Sequence, residues 1–142
     1  MATTQSTVQS VIDRYVEAVK ASDAEALLAL YGDDVHVYDL MAPFERHGKD
    51  SSRELIEAWL NGGGEQDCSV EDIVVLEEGD LAVARASIRY GYTGEDGTKH
   101  NMWNRATWTF RRIDSEWKIV GEHTSVPLSE PDMQPIFDAR EK

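Results

Sequence analysis

Asp39 closes a stretch, YGDDVHVYD (Tyr31 to Asp39), in which side chains two apart share a strand face, so that Asp39 follows Val35 and Val37 toward a core. A carboxylate on an apolar face must be hydrogen-bonded or put to chemical use, because burial penalises its charged form and raises its pKa. The use it suggests is proton transfer: a carboxyl held near neutrality by an apolar wall can take up a proton and return it. Alternation along the last apolar stretch puts Trp117, Ile119, Gly121, His123 and Ser125 inward and Lys118, Val120, Glu122 and Thr124 outward. On the stretch before it, Asn104, Ala106, Trp108 and Phe110 carry the larger apolar load, which turns Arg105, Thr107, Thr109 and Arg111 to solvent or to a partner. That register gathers Asn104, His123 and Ser125 around Asp39 among aromatic walls, the make-up of a small-molecule pocket. Trp108 lines it from the sheet, Tyr15 and Trp59 from helices, and Phe44 from the loop beyond Asp39.

Each of these residues also has a structural explanation. His123 can be a hydrogen-bonded core histidine, Trp59, Trp103, Trp108 and Trp117 can be core, and Asp39 can cap a backbone turn before Pro43. Other chemistries are poorly supported. The four histidines are scattered, with no paired-histidine helix and no cysteine pair, so no metal site is expected. Gly62 to Gly64 follows a helix instead of opening one, which argues against a phosphate loop and a nucleotide cofactor, and there is no G-x-S-x-G elbow. The only cysteine, Cys68, stands before an apolar strand, a structural position.

The elements that must position these groups are legible from periodicity. Val8, Val11, Ile12, Tyr15, Val16 and Val19 line one face of a first helix. Ser22 and Glu25 have capping-box spacing for a second helix over Leu27, Leu28, Leu30 and Tyr31, stopped at Gly32. Ser51 and Glu54 repeat the signal for a third, with Leu55, Ile56, Trp59 and Leu60 as its stripe. Strands are expected over 70–76, 81–92, 100–113 and 117–126, with turns at Glu78–Asp80, Gly94–Gly97 and Asp114–Ser115. Helices first and a long-stranded sheet afterwards predict an α+β fold: three N-terminal helices on a strongly curved, mainly antiparallel sheet, a cone with a mouth. At 142 residues the chain is expected to be one domain, 1–142. A net charge of −13 weighs against nucleic acid and anionic membranes. Without an apolar leader or long apolar run, a soluble cytoplasmic location is expected.

In YGDDVHVYD, Gly48, MWNRATWTFRRID (102–114) and WKIVGEHTSVP (117–127), the chain resembles the nuclear transport factor 2-like superfamily and its SnoaL-like group, of the SgcJ/EcaC type. The resemblance implies a cone-shaped α+β barrel, usually dimeric through the outer sheet face, with a pocket whose chemistry varies among relatives. A looser similarity to ketosteroid isomerases, carried by RYVEAV (14–19) and the placement of Asp39, implies Asp39 as general base and Tyr15 as an oxyanion-hole phenol. It departs from that pattern at Leu40, where proline is usual, and at Ala106, where a second acid is expected. The expectation is thus a pocket protein for a small hydrophobic molecule, an isomerase or cyclase using Asp39 with Tyr15 or His123, without metal or cofactor. Its rivals are a non-catalytic binding or dimeric assembly module, with Asp39 and His123 a satisfied polar pair, and a hydrolase using Asp39 to activate water.

Overall fold

The structure, a computed structural model, describes residues 6–141. Helix α1 (Val8–Lys20) buries the expected stripe of Val8, Val11, Ile12, Tyr15 and Val19, and Thr7 and Ser10 cap it reciprocally. In α2 (Ala24–Leu28) the cap is Asp23, whose carboxylate accepts the Ala26 N–H at 3.0 Å, one residue beyond the expected Ser22. Gly32 lies within the following strand and stops no helix. Helix α3 (Lys49–Leu60) starts from Gly48 without a side-chain cap, and the Ser51 hydroxyl donates instead to the Gly48 carbonyl. Its inward stripe is Ser52, Ile56 and Leu60; Leu55 is exposed.

The strands are β1 (Tyr31–Tyr38), β2 (Arg46–His47), β3 (Glu65–Glu78), β4 (Leu81–Thr93), β5 (Lys99–Ile113) and β6 (Glu116–Ser125). They form one six-stranded sheet in the order β2-β1-β6-β5-β4-β3, antiparallel throughout except where β6 returns parallel to β1. The sheet stays open, with β2 and β3 as edges. Helix α1 packs on β3 and also reaches β6, with β4 and β5 between them, so the sheet wraps around it. The core lies in that wrap, with Val35, Val37, Ala84, Ile88, Trp108, Phe110 and Ile119 facing Val11, Tyr15, Val19 and Leu27.

One irregularity in β6 decides what enters the core. Phe110 pairs with Ile119 but Thr109 with Gly121, so Val120 is an extra residue, a bulge that reverses the alternation beyond it. Trp117 and Ile119 point inward as expected, but past the bulge Thr124 is buried and His123 exposed. The register expected for Gly121, His123 and Ser125 is corrected accordingly: they lie on the outer face, and Glu122 and Thr124 on the inner one. The C-terminal segment then crosses the outer face, where the Trp103 N–H donates to the Phe137 carbonyl at 2.8 Å. Arg140 lies over the Trp103 ring at 5.1 Å and pairs with Asp72 at 2.6 Å and Glu71 at 3.2 Å.

Candidate functional site

The C-terminal ends of β1, β4 and β6 and the N-terminal ends of β3 and β5 meet at one end of the sheet, and the inner side chains there form the site. Asp39, one residue past β1, is held by its neighbours: Thr124 Oγ1 donates to Asp39 Oδ1 at 2.7 Å and accepts the Leu40 N–H at 2.9 Å. Arg46, paired with Val37 across the β1–β2 ladder, brings Nη1 to 3.8 Å from Asp39 Oδ2. The Arg46 side chain is 11% exposed and its Nε donates to buried Ser52 at 3.3 Å. Asp39 is 27% exposed, so it is a half-buried carboxylate at the rim with a balanced charge, not the deeply buried one that alternation suggested.

The inward carboxyl is Glu122, partly buried and delivered to the inner face by the bulge. Its Oε1 accepts the Tyr31 hydroxyl at 2.7 Å and the Trp108 indole N–H at 2.9 Å. Burial pushes the Glu122 carboxyl above the usual carboxylate range; the bonds from Tyr31 and Trp108 and the charge of Arg46 oppose the shift, and the charge of Asp39 adds to it. The second carboxylate missing at Ala106 is therefore supplied by the neighbouring strand, since Ala106 pairs with Thr124 and Trp108 with Glu122. Sequence reasoning set Glu122 outside and passed over Arg46. A glycine inside a strand, here Gly121, is the one signal that marks such a bulge.

Across from the carboxyls, the Tyr15 and Tyr90 hydroxyls are hydrogen-bonded to each other at 2.5 Å. Burial raises both phenols well above their ordinary pKa and the charge of Glu122 adds to it, while the hydrogen bond from Tyr15 works against the shift at Tyr90, so both keep their protons at neutral pH. One proton bridges the pair and the other remains to be donated. The Tyr15 ring meets Trp108 at 5.6 Å between centroids, and Trp59 stands edge-on to Tyr90 at 5.4 Å. Asn104 is 3% exposed on the same inner face, and neither its amide nitrogen nor its amide oxygen has a partner among the described residues. Trp59, Gln66, Tyr90, Tyr92, His100 and Met102 frame a cleft of about 340 Å³ at this end, within the range of small-ligand sites.

The expected residues thus divide. Tyr15, Trp59, Asn104 and Trp108 face the interior, and Asp39 stands at its rim. Ser125 does not join them, since it accepts from Arg105 Nε at 3.1 Å on the outer face; His123, packed on Tyr38 at 5.5 Å, and Phe44, 88% exposed, stay outside the aromatic interior but line with Asp39 a second cleft of about 660 Å³. Asp39 is bonded to Thr124, not His123, so the expected Asp39–His123 pair is not formed. Cys68 is buried on β3 opposite Tyr90, and burial pushes its thiol up to about 12. Among the described residues no group of His, Cys, Asp or Glu is placed to hold a metal ion, and no helix is long and apolar enough to cross a membrane.

Comparison with known proteins agrees with this architecture. No curated protein matches the chain. An NTF2-like protein of unknown function from Pseudomonas putida KT2440 superposes with a TM-score of 0.82 at 26% identity, over 92% of each chain. A candidate dehydratase of the NTF2-like family from Streptomyces avermitilis gives 0.76 at 20% identity, covering 86% of this chain and 95% of that one. A candidate scytalone dehydratase from Novosphingobium aromaticivorans gives 0.75 at 16% identity, over 91% and 90%. The SnoaL-like domain model matches residues 8–129. With helices, sheet and inner-face site all inside that span, the chain belongs to the SnoaL-like domain family of the NTF2-like superfamily.

Proposed function

We propose that this end of the fold carries out cofactor-independent acid–base chemistry on a small apolar molecule, an isomerisation or cyclisation that begins with removal of a proton beside a carbonyl. The observation that carries the reading is a pair of carboxyls in unlike surroundings: Asp39, balanced by Arg46 at a half-open rim, and Glu122, enclosed and shifted toward its protonated form. Asp39 is the base within reach of a ligand at the rim. The Tyr15–Tyr90 pair offers the proton that stabilises the developing oxyanion, in a setting where phenols stay neutral. Glu122 holds Tyr31 and Trp108 in place and returns a proton when it carries one. The candidate dehydratases among the structural relatives fit the same scheme, since dehydration can begin with the same proton abstraction.

The test needs no knowledge of the substrate. β-Tetralone, a flat bicyclic ketone, exchanges the protons beside its carbonyl with deuterated solvent, and NMR follows the rate. Exchange accelerated by the protein and reduced about 10²- to 10⁴-fold in Asp39→Asn is expected. No acceleration over buffer, or full acceleration in Asp39→Asn, overturns the reading.

One observation favours a second reading, a non-catalytic binding module: Asp39 already has Thr124 and Arg46 as partners and needs no chemistry to justify its place. Under either reading we propose that the chain pairs with a second copy through the outer sheet face. Glu122 and Thr124 are absent from that face, which is made by Val74, Leu76, Val83, Arg85, Thr107 and Thr109.

A further inference from the structure

The least explained group in the molecule is the Asn104 amide. It is 3% exposed, and both its polar ends lack a partner among the described residues. A buried amide unmatched at both ends is costly, and such groups are kept where something else completes them. Asn104 pairs with Ile88, and the next inner positions toward the cleft are Met102 and Tyr90, which line it. Residues two apart on a strand are about 7 Å apart, so a flat bicyclic ligand seated against Trp59 and Tyr90 has one inner position to pass beyond the lining of the cleft to meet the amide. Exchanging the amide oxygen and nitrogen changes nothing here, because both are unpartnered.

We infer that Asn104 is the specificity-determining residue of this site, reading a flat, neutral ligand that carries a hydrogen-bond donor and a carbonyl acceptor side by side on one edge. A cis-amide such as a lactam, or the enol form of a dicarbonyl, has that edge, and two parallel hydrogen bonds close between it and the asparagine. Neutrality follows from the setting: a net charge of −13 and an enclosed Glu122 oppose an anion, and an aromatic frame suits a flat ring. The proposal shares the site of the acid–base reading but rests on recognition alone, so it is tested with a ligand that undergoes no reaction.

The probes are carbostyril, a bicyclic lactam, and N-methylcarbostyril, which keeps the shape and carbonyl but lacks the donor. In a titration followed by side-chain amide NMR, carbostyril is expected to move the Asn104 NH₂ resonances downfield. It is expected to bind about 10- to 100-fold more tightly than its N-methyl analogue. In Asn104→Leu the two probes should bind equally while the melting temperature rises, because an unmatched buried amide has been removed. Carbostyril has no proton to exchange beside its carbonyl, so its discrimination from the N-methyl analogue stands or falls independently of β-tetralone exchange, which separates this proposal from the acid–base one. No binding of carbostyril at millimolar concentration, equal binding of the two probes to the native protein, or an Asn104 amide that does not respond overturns the inference. The native-protein comparison stands even where Asn104→Leu fails to fold.

Discussion

Glu122 is pulled two ways by one environment, and its variants separate the pulls. The folded carboxyl holds its proton more tightly than the unfolded one, so its contribution to stability is full below the ordinary glutamate value of about 4 and is lost as pH rises through the folded value. Glu122→Gln removes the ionisation while keeping an oxygen for Tyr31 and Trp108. Its melting temperature should exceed the native one at pH 7 to 8, and the difference should vanish as pH falls to about 4. Glu122→Ala strands two buried donors instead, and should cost about 1–3 kcal/mol near pH 4 and less as pH rises through the folded value. Melting curves of both variants across that range are the check; a pH-independent gap for Glu122→Gln would contradict the assigned shift. For Asp39→Asn, Thr124 keeps its acceptor and the amide oxygen stays beside Arg46, so only the charge of a long, partly buried pair at 3.8 Å is lost and stability should stay within about 1 kcal/mol of native while proton exchange collapses.

At the scale of elements, α1 and β5 could be read directly, because their patterns are regular. The stripe on α1 places Tyr15, and unbroken alternation on β5 places Asn104, Ala106, Trp108 and Phe110. The same counting fails on β6 after Ile119, because a bulge consumes Val120 and sends His123 out and Glu122 in. Arg46 was illegible for another reason: β2 is two residues long, too short for any periodicity, and its place beside Asp39 comes from pairing with β1. The bulge therefore sets the chemistry of the interior. Deleting Val120 joins Ile119 to Gly121 in unbroken alternation and leaves Glu122 opposite Trp108, so a cooperative transition in near-UV circular dichroism is expected; its loss would show that the bulge itself is required. At the start of α3, Gly48 holds φ at 89° with only the Asp33 carbonyl, at 3.7 Å, near an added Cβ. Gly48→Ala should accordingly cost about 1–2 kcal/mol from backbone strain alone, read by chemical denaturation.

For the whole molecule, the outer face is where self-association is expected. Leu76 is 70% exposed and lies beside Val83, itself 39% exposed, in a strip flanked by Arg85 and Arg111. Those arginines matter because two copies of a chain with net charge −13 repel, and a face richer in cations is where the repulsion is weakest. Light scattering at micromolar concentration should give twice the chain mass, and Leu76→Asp should halve it; a native monomer would refute the pairing. The same net charge predicts no retardation of oligonucleotides at physiological salt.

Cys68, with its thiol pushed up to about 12 and only 3% of its surface exposed, gives the molecule a built-in clock. A thiol so placed is inert to alkylating reagents until β3 parts from β4 or from α1. Its labelling rate in the native state therefore measures how often that wall of the interior breathes. Since Tyr90 sits directly across from it, a molecule lodged in the cleft should slow the clock without ever touching the sulfur.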